Sequence, residues 1–196
     1  MSKKILVPIA HGTEEMEVVT IIDIMVRAGF DVTVASADSN GDTLITASRG
    51  VKLTADCLLV DIADHQYDAI LLAGGVQGAE SFRDSTLLVE MIKQHTYEGR
   101  LLGAICAAPA VVLQHHQIYP QALMTCHPNF KHVIPEQNWR ERRVTIDVNC
   151  NLVTSQGPGT ALEFSMEIVT QFLGKEEAWK VAEPMVTAPA LNYQIV

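Results

Sequence analysis

The sequence has no apolar run long enough to cross a bilayer. Its longest, LLGAICAAPAVVL at 101–113, stops well short of the ~20 residues a spanning helix needs. Positive charge is scarce: 14 Lys+Arg stand against 23 Asp+Glu, a formal net charge of −9. That balance disfavours nucleic acid held through its phosphates. The four cysteines, Cys57, Cys106, Cys126 and Cys150, form no C-x-x-C pair, and no repeated Cys/His spacing suggests zinc. Neither G-x-G-x-x-G nor a Walker lysine is present, so no cofactor and no metal are expected. Low-complexity tracts are missing too, and a hydrophobic fraction of 48% excludes a disordered chain. In MSKKILVPIAHG, two lysines precede only six apolar residues, too short a stretch for a signal peptide. The expectation is a cytoplasmic protein whose cysteines are free thiols.

What is present is alternation. Short apolar runs (5–10, 31–37, 69–75, 101–105) are separated by helical patterns at 14–29, 85–99 and 107–116. A hairpin is predicted over 44–54, with Gly50 in its return arm. Two strand-like pieces flank Asn149–Asn151, and helices over 159–174 and 175–186 close the chain. Ser85 is placed to cap the third pattern, and Gly29 and Gly99 to end helices. Strands alternating with helices imply an α/β fold, a mostly parallel sheet with helices on both faces. No linker or repeat divides residues 1–196, so one domain is expected. In such folds ligands bind beyond the carboxyl ends of the strands.

The 14–29 helix carries Met16, Val18, Val19, Ile21, Ile22, Ile24, Met25 and Val26, which leaves almost no polar face. Burial on two sides follows. A homodimer through this helix is the simplest explanation, and cover by the chain's own C-terminal helices is the other.

Three corners that follow strands carry chemistry. In LLGAI-C-AAPAVVL a strand runs directly into a helix at Cys106, with Gly103, Ala104 and Ala108 small enough for a sharp turn. A thiol at a helix N-terminus has its pKa lowered, and the Ala107 amide faces a developing oxyanion. An inert core cysteine is the competing reading. In LLAGGVQGAE the amides of Gly74 and Gly75 could complete an oxyanion hole or cradle a phosphate. In HGTEEMEVV, two of the three glutamates are expected to be solvated. Glu17, at the start of the apolar helix, is expected to be drawn inside and to keep its proton.

These corners, with SRGVKL, TCHP and TSQGPGTALEF in order, resemble the ThiJ/PfpI superfamily. Within it they resemble the branch of the Parkinson's-disease protein deglycase and, most closely, bacterial YajL. The resemblance runs nearly end to end. It implies a flavodoxin-like sandwich, a homodimer, an oxidation-prone Cys106, and a protonated Glu17 hydrogen-bonded to it. It also implies oxyanion amides at Gly75 and Ala107, and a nearby histidine at His127. The protease branch places His after the nucleophile, where this chain has Ala107, and related amidotransferases need a late His-x-Glu, whereas no histidine follows His132. Both hydrolase readings lose their base. Cys126 is a candidate secondary redox thiol, Cys57 and Cys150 read as core or strand residues, and His115 and His116 as a helix end. Arg27 and Arg49 could bind an anion near the site or simply be solvated. Three functions come into question. The first is cofactor-free conversion of 2-oxoaldehydes such as methylglyoxal to hydroxy acids, with deglycation of adducts as a variant. The second is redox sensing or chaperoning through a Cys106 sulfinate. The third, a step in thiamin biosynthesis, has no phosphate loop or metal cluster to support it.

Overall fold

A computed structural model describes residues 2–187. The strands are β1 (Lys4–Ile9), β2 (Asp31–Ser36), β3 (Leu44–Thr46), β4 (Lys52–Thr54), β5 (Cys57–Leu58), β6 (Ala69–Leu72), β7 (Leu101–Ile105), β8 (Val144–Asp147) and β9 (Leu152–Ser155). Seven of them form one sheet in the order β5-β2-β1-β6-β7-β9-β8, parallel except for β8, while β3 and β4 pair as a separate hairpin. Parallel neighbours require crossovers, which helices supply between β1 and β2 and between β6 and β7, while the β3–β4 hairpin lies in the connection from β2 to β5.

Side-chain alternation along each strand divides the interior. Ile5, Val7, Ile9, Leu71 and Ile105 face α1 (Glu15–Arg27), α4 (Ala161–Leu173) and α5 (Lys175–Ala182). Leu6, Ile70, Leu72, Leu102 and Ala104 face α2 (Val76–Asp84) and α3 (Thr86–Tyr97), together with a helical stretch at Pro109–Gln114. Both faces are therefore dry, as a parallel sheet requires. Gly103 owes its small size to this packing: a Cβ there would lie 2.7 Å from Leu71 Cδ2 and 2.9 Å from Phe164 Cζ.

The architecture is the α/β flavodoxin-like one expected, with local differences. Gly50 lies in the hairpin turn at φ +93°, not in the return arm. The helix after Cys106 is wound as a π-helix over Pro109–Gln114, with Pro109 at its start. α2 stands where the sequence pattern shows only a glycine-rich corner. Cys150 sits in the turn between β8 and β9, not in a strand. Along α1, Val18, Ile21, Ile24 and Met25 are buried, and α4 packs alongside, but Met16, Val19 and Val26 stand half or more exposed. Among the described residues, cover by the chain's own helices therefore accounts for one side of α1 only. Among the described residues no helix is long and apolar enough to cross a membrane.

Candidate active site

Strand order reverses between β1 and β6, and the loops leaving these strands and β7 meet at their carboxyl ends. This is the crevice where open α/β sheets bind ligands. Cys106 follows β7 at φ +65°, a left-handed conformation that costs a non-glycine residue about 1–3 kcal/mol. The corner is clamped on both sides: the Cys106 amide donates to Ser155 O at 3.0 Å, and its carbonyl accepts the His127 amide at 2.7 Å. The residue is 9% exposed, so the thiol sits in a largely shielded corner.

Gly74 brings the acid and the sulfur together. A Cβ on it would lie 2.5 Å from Cys106 Cβ and 3.0 Å from both Cys106 Sγ and Glu17 Oε2. Glu17 comes from the first turn of α1 and is fully buried. Its Oε2 accepts the Gly74 amide at 2.6 Å, and its Oε1 is buried without a hydrogen bond of ordinary geometry. Burial pushes the Glu17 carboxyl up to about 7, against the pull of the Gly74 amide; the Glu14 charge adds to the rise, and contact with the Cys106 thiol opposes it. Burial pushes the Cys106 thiol up to about 12. The Glu17 carboxylate adds to that, while the Gly75 and Ala107 amides pull it down. This corrects the expectation of a thiol lowered by a helix N-terminus. The corner is buried, the following helix is irregular, and an ionised Glu17 repels a second charge. If Glu17 holds the proton, the repulsion vanishes and its O–H becomes a donor to sulfur.

The structure thus gathers Glu17, Cys106, Gly75 and Ala107. Gly75, at φ +79°, admits no side chain, because a Cβ would meet Gly12 O at 2.2 Å. Gly74, by contrast, offers no free oxyanion donor, since its amide is taken by Glu17. His127 adjoins Cys106 through its backbone, and its Nδ1 accepts the Asn129 amide at 3.3 Å. In the neutral ring that leaves the proton on Nε2, a donor rather than a base. Cys126 is fully buried with its thiol raised to about 12 by burial, which corrects its reading as a redox thiol. Arg27 pairs with Asp23 about 15 Å along α1 from Glu17, too far to serve the site. Arg49 is exposed, and its backbone amide holds Glu15.

Sequence reasoning missed the burial of Glu14 and Glu15, which are 8% and 6% exposed and not solvated as expected. Glu14 caps α1 by accepting the Glu17 amide at 2.8 Å. Glu15 accepts the Ser48 hydroxyl and the Arg49 amide, each at 2.7 Å, and so ties the hairpin to the site. Burial raises the Glu15 carboxyl, but those hydrogen bonds leave it below the usual range. The E-x-x-E spacing of Glu14 and Glu17 was the available signal, a capping-box pattern with an acid in the cap position.

His11, Asp38 and Asp42 bring ligand atoms within 4.8 Å of one another. The His11 Nδ1 accepts the Thr46 amide at 3.0 Å, so Nε2 carries the proton toward Asp38 and has no lone pair for a metal. This group does not fit a metal ion.

Comparison with known proteins places these residues in a wider context. The model of the DJ-1/PfpI family matches residues 3–171. Protein DJ-1 homolog B of Arabidopsis thaliana is 42% identical over 189 residues, 96% of this chain; the chain spans less than half of that protein, 42% of its length. A Caenorhabditis elegans protein named glutathione-independent glyoxalase DJR-1.2 is 30% identical over 187 residues, 95% of this chain and 97% of that one. Among solved structures, the VC2308 protein is 47% identical with a TM-score of 0.94, covering 97% of this chain and 96% of its own. Oxidized Toxoplasma gondii DJ-1 is 40% identical with a TM-score of 0.91, covering 95% and 100%. A family match through every strand of the sheet, and through all four gathered residues, makes this chain a member of the DJ-1/PfpI family.

Proposed function

We propose that the chain converts small 2-oxoaldehydes such as methylglyoxal to 2-hydroxy acids without a cofactor, using Cys106 as nucleophile and Glu17 as general base and acid. The observation that supports it most is the shared packing of Glu17 Oε2 and Cys106 Sγ against Gly74. A carboxylate ionising near neutrality takes the thiol proton, and the sulfur adds to the aldehyde carbon to give a hemithioacetal. The Gly75 and Ala107 amides face the developing oxyanion. Glu17 then removes the proton from that carbon and returns it to the neighbouring carbon through an enediol. The aldehyde carbon is oxidised to a thioester and the ketone carbon reduced to an alcohol. Water cleaves the thioester, which releases the hydroxy acid and restores the thiol. His127 Nε2 is a further donor. The name of the C. elegans relative supports this chemistry. The same addition to glycated amines or thiols would be deglycation.

The test is methylglyoxal loss and lactate formation by the purified chain. Cys106→Ala and Glu17→Ala are each expected to abolish both, and retained turnover in Cys106→Ala overturns the reading.

A second reading is a redox-responsive protective protein in which Cys106 is oxidised to the sulfinate. Two amides and a buried acid around one sulfur favour it, since they would hold the added oxygens. The oxidized state of the Toxoplasma relative points the same way. Mass spectrometry after mild peroxide, showing two added oxygens at Cys106 without aldehyde turnover, distinguishes it. The exposed stripe of Met16, Val19 and Val26 supports a homodimer joined through α1. The proposed setting is cytoplasmic, with one domain over 1–196 and neither nucleic acid nor a membrane as a stable partner.

A further inference from the structure

Three hydrogen bonds close a ring around the candidate site. The Glu14 amide donates to Gly74 O at 3.0 Å. The Gly74 amide donates to Glu17 Oε2 at 2.6 Å. The Glu17 amide donates to Glu14 Oε2 at 2.8 Å. One residue, Glu14, therefore fixes the glycine turn through its backbone and the start of α1 through its side chain. Its cap is unusual in kind, because Ser, Thr, Asp and Asn are the ordinary choices and bring less bulk. Here the longer side chain is folded in and 8% exposed. A neutral cap would satisfy the Glu17 amide equally well. Only an acid also places a second negative charge beside the Glu17 carboxyl.

We propose that Glu14 is a positioning residue for the Cys106 site, its carboxylate holding Glu17 against Gly74 and setting a fixed negative charge beside the Glu17 carboxyl. This inference rests on the Glu17–Cys106 reading above and adds to it the residue that tunes the pair. The groups bearing on Glu17 are Glu14 on its own helix turn and Cys106 across the Gly74 turn; those bearing on Glu14 are Glu15 beside it and Arg49 from the hairpin. Burial raises the Glu14 carboxyl too, and the Glu15 charge adds to the rise, but the amides of Glu17 and Met16 and the Arg49 charge oppose it, and Glu14 keeps 8% exposure where Glu17 has none; Glu14 is the member of the pair suited to carry the charge. Two carboxyls three residues apart are thereby given different tasks by their surroundings, one a fixed charge and one a movable proton.

The experiment is a carboxyl-carbon NMR titration of the protein labelled at glutamate Cδ, with the Glu17 resonance identified by its loss in Glu17→Gln. In the unsubstituted chain it should titrate near 7. Glu14→Gln keeps a cap acceptor and removes the charge, and should lower that midpoint by about half a unit or more, the scale expected for a neighbouring charge. Glu14→Asp keeps both cap and charge and should stay close to the original. A merely structural cap would leave Glu14→Gln unmoved, and that result overturns the inference, as does an equal fall in Glu14→Asp. A Glu17 midpoint in the ordinary carboxylate range in the unsubstituted chain overturns the underlying reading itself, and the two failures are told apart by which titration departs.

Discussion

Glu17 Oε2 and Cys106 Sγ lie 3.0 Å from one point, the place a Cβ on Gly74 would occupy. An acid from the first helix and a sulfur from the corner after β7 are packed against the same missing side chain. Gly74→Ala tests that arrangement without replacing either group. The added methyl has no flexible neighbour to displace, since Cys106 Cβ lies 2.5 Å away. Overpacking of this kind costs about 1–3 kcal/mol. Denaturant melts should show that loss, and methylglyoxal turnover should fall at least tenfold. Unchanged stability and turnover would mean that the turn relaxes freely.

Replacing the acid separates catalysis from fold. Glu17→Gln keeps an oxygen for the Gly74 amide but cannot exchange a proton with sulfur. Loss of a general acid–base group lowers rates by roughly 10²–10⁴. Steady-state kinetics should show the fall in kcat.

The same substitution should raise stability at alkaline pH. The folded Glu17 carboxyl ionises near 7, above its unfolded value. The folded state thus holds a proton the unfolded chain has released. Its stabilising contribution is complete below the unfolded value and is lost as pH rises through 7. Glu17→Gln removes that loss, and above pH 8 the variant should be more stable by up to roughly 3 kcal/mol. His95 acts in the opposite sense. It is 3% exposed, its Nε2 contacts Leu101 O at 2.7 Å, and burial lowers it to about 4. Its contribution is present above the unfolded value and is lost as pH falls toward 4. Urea melts from pH 4 to 9 check both directions.

Much of this was legible in the sequence, for identifiable reasons. Strands β1, β6 and β7 are short apolar runs because both of their faces are covered. Ser85 caps α3 as its position suggested, accepting the Leu88 amide at 3.3 Å. Cys106 stood out because only small residues flank it at a strand end. What stayed hidden depended on contacts far apart in the chain. Glu15 looks solvated until Ser48 and Arg49 are brought to it, and nothing local announces that. The short α2 is largely polar and begins directly after two glycines, so its pattern merges with the turn. The π winding after Cys106 has no periodic signature over six residues.

The α1 stripe gives a prediction about assembly. Val19 is 50% exposed between Met16 and Val26. Val19→Asp would place an unpaired charge at the centre of a symmetric contact. Sedimentation should show a dimer for the unsubstituted chain and a monomer for the variant. A monomer in both cases would contradict pairing through this helix.

The central claim is that Glu17 and Cys106 hold one proton between them near neutral pH, and the rate of Cys106 alkylation as a function of pH tests it most directly. The account predicts a step near pH 7 that disappears in Glu17→Gln. A single step at an ordinary thiol value of about 8.5, the same with and without Glu17, would contradict it.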